Sequence, residues 1–254
     1  MAFFERLSDT RYLPTAHTSG AWNIHEQHIA PAIGLLAHHI ERDAAARGHG
    51  FVIGRLSYDI LGTIPIDAMD ARVEVLRGGR TIELVEATLL HDGRAALRAR
   101  AWLLRPNATG AIAGTPIAPL PSAEIMPAWD PASVWPGGFI QNVQVRRLDQ
   151  GPGRAQYWAR ALQPLLADEP VSALARAATL FDLSNGMAVR ADPKDIAFPN
   201  LDLTAHLFAL PQGEWLGFDT SVSFGPQGIG LTSTVLHDMH GPIGSIGQVL
   251  TVRP

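Results

Sequence analysis

The chain has 254 residues, of which 46% are apolar and 17% charged, and a formal net charge of −4. Those values suit one large or two small globular domains and exclude a disordered chain. There is no cysteine, which excludes disulfides, thiolate metal sites and a cysteine nucleophile. No run of Lys and Arg forms a basic stripe, so no nucleic-acid partner is expected.

The first residues, Met1-Ala2-Phe3-Phe4-Glu5-Arg6, lack the apolar run of a signal peptide. No apolar stretch approaches the ~20 residues of a membrane helix. A cytoplasmic protein with no membrane association is expected, and the sequon Asn107-Ala108-Thr109 is read as chance.

The first strong period spans Pro31 to about Ala46. It places Ile33, Leu36, Ala37 and Ile40 on one face, which predicts a helix with Pro31 in its first turn and Gly48 and Gly50 ending it. Strands are predicted at Phe51–Leu61, Ala68–Arg77, Arg80–His91 and Arg94–Leu104, with hairpin signals at Gly78-Gly79 and Asp92-Gly93. Residues 105–137 are rich in Pro, Ala and Gly and read as a linker.

The pattern then recurs. Phe139–Arg147 and Arg154–Leu162 read as a hairpin, Pro170 to Phe181 as a helix, and Asn200–Ala209, Glu214–Phe224, Gly228–His237 and Pro242–Val252 as strands. Both halves close alike: Leu89-Leu90-His91-Asp92 leads to Leu104-Arg105-Pro106, and Val235-Leu236-His237-Asp238 leads to Val252-Arg253-Pro254. This predicts a duplicated α+β unit, a helix over an antiparallel sheet, with units at 1–106 and 134–254 joined by 107–133.

The stretch Phe198-Pro199-Asn200-Leu201-Asp202-Leu203-Thr204-Ala205-His206, with Trp215-Leu216-Gly217-Phe218-Asp219 and Gly247-Gln248-Val249-Leu250-Thr251-Val252, resembles the acyl-CoA thioesterase superfamily. The likeness is to the thioesterase II-like double hotdog proteins, and Trp22 to His28 and Val75 to Arg80 fit it as well. The resemblance implies a double hotdog fold and hydrolysis of an acyl thioester, with acyl-CoA or another acyl thioester as partner, no cofactor and no metal. It also implies a homo-oligomer. A water would be held by Asp202, a hydroxyl and Gln248, the hydroxyl being Ser223 or, on the same strand face, Ser221.

Such chemistry asks for a carboxylate to deprotonate water, amide and hydroxyl groups to orient it, and N–H donors for the carbonyl oxygen. A helix start near Ala30–Ala32 or Val171–Ala173 offers those donors, and Glu26-Gln27-His28 lead into the first, with His28 a candidate cleft residue. The acyl chain is expected between helix and sheet, against Ile33, Leu36, Leu174 and Ala178. The first half lacks the set, because the matched endings align Arg100 with Gln248, and Asp59 is only a loose counterpart of Asp202.

Other chemistry finds less support. Gly244-Ser245-Ile246-Gly247 is no nucleophile elbow, and His17, His25, His28, His38 and His39 have no zinc spacing. Asp202 alone would also serve as a turn-capping residue. A non-catalytic acyl-thioester-binding or assembly protein of the same fold is the alternative.

Overall fold

The helical period is realised as α1 (Ile29–Ala46) in the computed structural model, which describes residues 1–48 and 50–254. The helix is capped by His28, whose ring accepts a hydrogen bond from the Ala30 N–H, and it stops at Gly48, whose positive φ of 75° suits glycine. Before it lie two short strands, β1 (Phe4–Arg6) and β2 (Arg11–Pro14). After it come β3 (Val52–Ile60), β4 (Met69–Arg77), β5 (Ile82–His91) and β6 (Arg94–Leu104), within two residues of the bounds predicted.

The second half runs β7 (Ala128–Trp129), a helical turn α2 (Gly138–Gln141), β8 (Val143–Asp149) and β9 (Arg154–Ala161). It continues through α3 (Ala173–Ala178), α4 (Leu183–Gly186) and the strands β10 (Asp202–Leu207), β11 (Leu216–Phe224), β12 (Ile229–Asp238) and β13 (Gly241–Thr251).

Two departures from the sequence reading have local causes. The strand predicted from Phe139 opens as α2, because Ser19 ties down its first turn: the Gly138 N–H donates to Ser19 Oγ (2.6 Å) and the Phe139 N–H to the Ser19 carbonyl (3.1 Å). The helix predicted to Phe181 breaks in two. Thr179 Oγ1 bonds back to the Ala175 carbonyl (3.0 Å), and the chain tightens into i→i+3 turns at Phe181 and Leu183, which leaves Asp182 between α3 and α4.

All thirteen strands join one antiparallel sheet in the order β1-β2-β4-β5-β6-β3-β10-β13-β12-β11-β9-β8-β7. Reading outward from the central β3–β10 pair, β6, β5, β4, β2 and β1 on one side match β13, β12, β11, β9 and β8 on the other. The registers match too, since Ile82 faces Leu104 as Ile229 faces Thr251. This is an α+β double hotdog, two helix-and-sheet units fused through β3 and β10.

The helices meet beneath the sheet. A Cβ built on Gly34 would collide with the Thr179 hydroxyl and the Ala175 carbonyl, so only glycine permits this approach of α1 to α3. Ile33, Leu36, Leu174 and Ala178 are all buried in the surrounding core. Gly34→Ala should therefore lower stability by about 1–3 kcal/mol through overpacking. Gly114→Ala, with nothing within 4 Å, should stay within about 0.5 kcal/mol. Urea unfolding of both variants checks this.

Candidate active site

Residues 18–28 fold back on themselves ahead of α1. The His28 N–H donates to the Thr18 carbonyl, the Gly20 N–H to that of Glu26, and the Gln27 N–H to that of Ile64, each at 2.7 Å. This clasp sets the start of α1 against α4 and the segment 199–201. Between them lies a cavity of about 400 Å³, with Trp22, Ile29, Leu61, Ile64, Trp135 and Ile140 among its apolar lining and His28, Asp182, Asn185 and Asn200 among its polar lining. Trp135 is pinned at its wall by a 2.7 Å hydrogen bond from Nε1 to the Gly186 carbonyl.

Asp182 is the buried acid of this cavity. Its turn is held by the Tyr157 hydroxyl, which donates to the Leu183 carbonyl (3.0 Å), and by Ser184 Oγ on the Phe181 carbonyl (2.8 Å). Asp182 Oδ1 accepts from Asn200 Nδ2 (2.7 Å) and from Gln248 Nε2 (3.1 Å). Asn200 reaches it because 199–201 runs on along β13, with the Leu201 N–H on the Val249 carbonyl at 3.0 Å. Burial pushes the carboxyl up to about 7, against the downward pull of the two amide donors.

His28 Nδ1 stands 3.8 Å from Asp182 Oδ2, yet the two form no ion pair. Nδ1 already accepts the Ala30 N–H, and burial drives the imidazole down to about 3, so the ring is neutral with its proton on Nε2. It packs against Phe139 with centroids 4.6 Å apart. Ile29, the first residue of α1, also lines the cavity, and the first N–H groups of a helix have no intrahelical partner.

Comparison with known proteins now decides the family. Residues 18–104 match the model of the acyl-CoA thioesterase N-terminal domain, and residues 119–252 match that of the C-terminal domain. The chain belongs to the acyl-CoA thioesterase family. A thioesterase-like protein of Novosphingobium aromaticivorans superposes with a TM-score of 0.74 at 18% identity over 100% of both chains. A hot dog fold protein of unknown function from Alicyclobacillus acidocaldarius gives 0.74 at 14% identity, covering 98% of this chain and 95% of that one. Acyl-CoA thioesterase II TesB2 from Mycobacterium marinum gives 0.68 at 17%, again covering 98% and 95%. No curated protein matches.

The residues expected from the sequence of this acyl-CoA thioesterase family member divide between two places. Gln248 is buried behind Asp182, and His28 lines the cavity. Asp202 lies elsewhere: its Oδ1 accepts the Val249 N–H (2.7 Å) on the other side of the strand from inward-facing Leu203 and Ala205, and it is not among the residues lining the cavity. Ser221 and Ser223 also lie away from it. Both are exposed on β11, and its inward positions are Thr220 and Val222. Ile33, Leu36, Leu174 and Ala178 are buried around the contact of α1 with α3 and are not among the residues lining this cavity.

Asp182 and Asn200 were missed. The signal was present: Asp182 interrupts the apolar run Leu180-Phe181-Asp182-Leu183, as Gln248 interrupts its own. Among the described residues the first half has no such site, and the register replaces Arg100 as the counterpart of Gln248. Gln248 faces Thr232 as Ala101 faces Val85, so its counterpart is Ala101, whereas Arg100 points outward and pairs with Glu86. Asn200 lies beside Leu250 as Ile53 lies beside Leu103. Both amides are apolar in the first half. Among the described residues no group of three or more His, Asp or Glu is placed to hold a metal ion.

Replacing Gln248 by Leu removes a donor to the ionised form of Asp182, so its pKa should rise further and the carboxyl signal should titrate at higher pH by ¹³C NMR. Ser223→Ala should leave that titration unmoved.

Proposed function

We propose that the chain hydrolyses an acyl thioester with Asp182 as the base, and that Asn200 and Gln248 hold that base in place. The observation that carries this is one buried carboxylate at a cavity wall, one oxygen fixed by two amides and the other left toward His28. The same reading takes residues 1–106 and 134–254 as the two units, joined by 107–133, and assigns one site to each chain.

The chemistry follows from that placement. Ionised Asp182 takes a proton from a water as its oxygen attacks the thioester carbonyl. The charge forming on the carbonyl oxygen is met by the Ile29 N–H at the start of α1, the Ala30 N–H being held by His28 and Pro31 having none, and the helix dipole favours an anion there. Collapse of the tetrahedral adduct breaks the C–S bond, and the proton on Asp182 passes to the departing thiolate. Neutral His28 keeps a second charge away from the carboxylate.

The sign of the pH dependence is fixed by the raised pKa. Below about 7 Asp182 holds its proton and cannot act as base, so kcat/KM should rise with pH through about 7. Asp182→Asn should cut turnover by about 10²–10⁴-fold and remove that limb. Acyl-CoA binding retained without turnover in the wild type would instead favour a binding protein of the same fold.

Stability moves the opposite way. A carboxyl whose folded pKa lies above its unfolded value of 3.8 stabilises the fold fully below that value, and the contribution is lost as pH rises to about 7. Asp182→Asn should thus unfold at a higher temperature than wild type at pH 8 and show a smaller gain at pH 5, as followed by circular dichroism.

A further inference from the structure

We infer that the acyl group taken by this site is compact and aromatic, an aroyl or arylacetyl thioester rather than a fatty one; this rests on the thioester-hydrolase reading above. The cavity measures about 400 Å³ and is partly open to solvent, so it admits a ring while the thiol carrier stays outside.

The space around the contact of α1 with α3 is filled: Ile33 and Leu36 are 0% exposed, Leu174 is 2%, and α1 rests on α3 at Gly34. A second cavity of about 350 Å³ lies along α3, against Ala173, Ala177, Leu180, Leu162 and Leu216, and it shares no lining residue with the first. What the first cavity offers is an aromatic wall. Trp22 and Trp135 both line it, with ring centroids 4.9 Å apart at 73°. Phe198 backs both, at 5.5 Å from Trp22 and 5.8 Å from Trp135.

Trp135 is tied by its indole N–H, whereas Trp22 stands in the clasp before α1 with 48% of its surface open. Ring pairs favour edge or offset contacts with centroids roughly 4.5–7 Å apart, and this cluster already has that geometry. A further planar ring extends it, and a flexible chain of equal size gains no such contact and loses more rotational freedom.

The test measures two quantities on the full-length protein. One is kcat/KM for acetyl-, hexanoyl-, benzoyl-, phenylacetyl- and palmitoyl-CoA. The other is calorimetric binding of the matching non-hydrolysable thioether analogues. The aromatic substrates should exceed palmitoyl-CoA by at least about tenfold in both. Trp22→Ala should lower the ratio of phenylacetyl- to hexanoyl-CoA about fivefold, and Trp22→Phe should largely keep it. Palmitoyl preferred in binding, or an unchanged ratio in Trp22→Ala, overturns the assignment. Aromatic analogues bound first with no thioester hydrolysed would sink the hydrolase reading and leave the acyl-group assignment standing. Hydrolysis with palmitoyl-CoA first would do the reverse, and failure of every analogue to bind would overturn both.

Discussion

The pairing of β3 with β10 is the constraint from which the cavity follows. Five residue pairs, from Asp202 against Asp59 to His206 against Arg55, fuse two sheets into one, with Ser57 and Thr204 sharing a 2.8 Å hydrogen bond between hydroxyls at the centre. The fusion fixes how far apart the two helices lie, and the glycine at their contact lets them close that distance. The start of α1 is then carried over the break between α3 and α4. Neither half makes the cavity alone: His28, Leu61 and Ile64 come from one, Asp182, Asn200 and Trp135 from the other.

The duplicated halves have diverged along one line, the polarity of their inner sheet face. Thr220, Thr232, Thr234 and Gln248 are buried in the second half, where the register places Val73, Val85, Ala87 and Ala101 in the first. An unpaired carboxyl in an apolar interior carries a large desolvation penalty, and hydrogen-bond donors are what offset it. In the second half an amide supplies that donor, whereas buried Glu83 on the inner face of the first half is offset by Arg47 at 2.7 Å. Thr220 and Thr234 bond to each other at 2.8 Å, so part of this polar face is satisfied within the sheet. The loss of a second site is thus a property of whole strands, not of one replaced residue.

Most of the fold was legible because it rests on local periods. Alternation gave the long strands to within two residues, and matched hairpin endings exposed the duplication. The two N-terminal strands were not legible, since three and four residues establish no period. The helix break at Thr179 depends on a side chain bonding to its own turn, which a periodicity count does not register. The site was half legible. Gln248 stood out as a polar residue in an apolar strand, whereas Asp202 drew attention by its place at a strand start, where the backbone of Val249 already accounts for it. The mark that Gln248 and Asp182 share is a polar group surrounded by residues that belong in a core. Asp182 bore that mark inside a predicted helix, away from the strands on which attention fell.

How the sheet ends bears on its life in a crowded solution. Its outermost strands are β1 and β7, three and two residues long, and β1 is itself met by a parallel bridge from Leu166. A free backbone edge recruits strands from other molecules, and the longer and flatter the edge, the greater the hazard. Each end strand shields only part of its neighbour: among the described residues β2 pairs with β4 only at Met69 and Asp70, and β7 pairs with β8 only at Val145 and Arg146. From Arg72 to Arg77 the outer side of β4 has no strand beside it, and Val75 and Leu76 are exposed there. That stretch is where the sheet has room for a strand from outside.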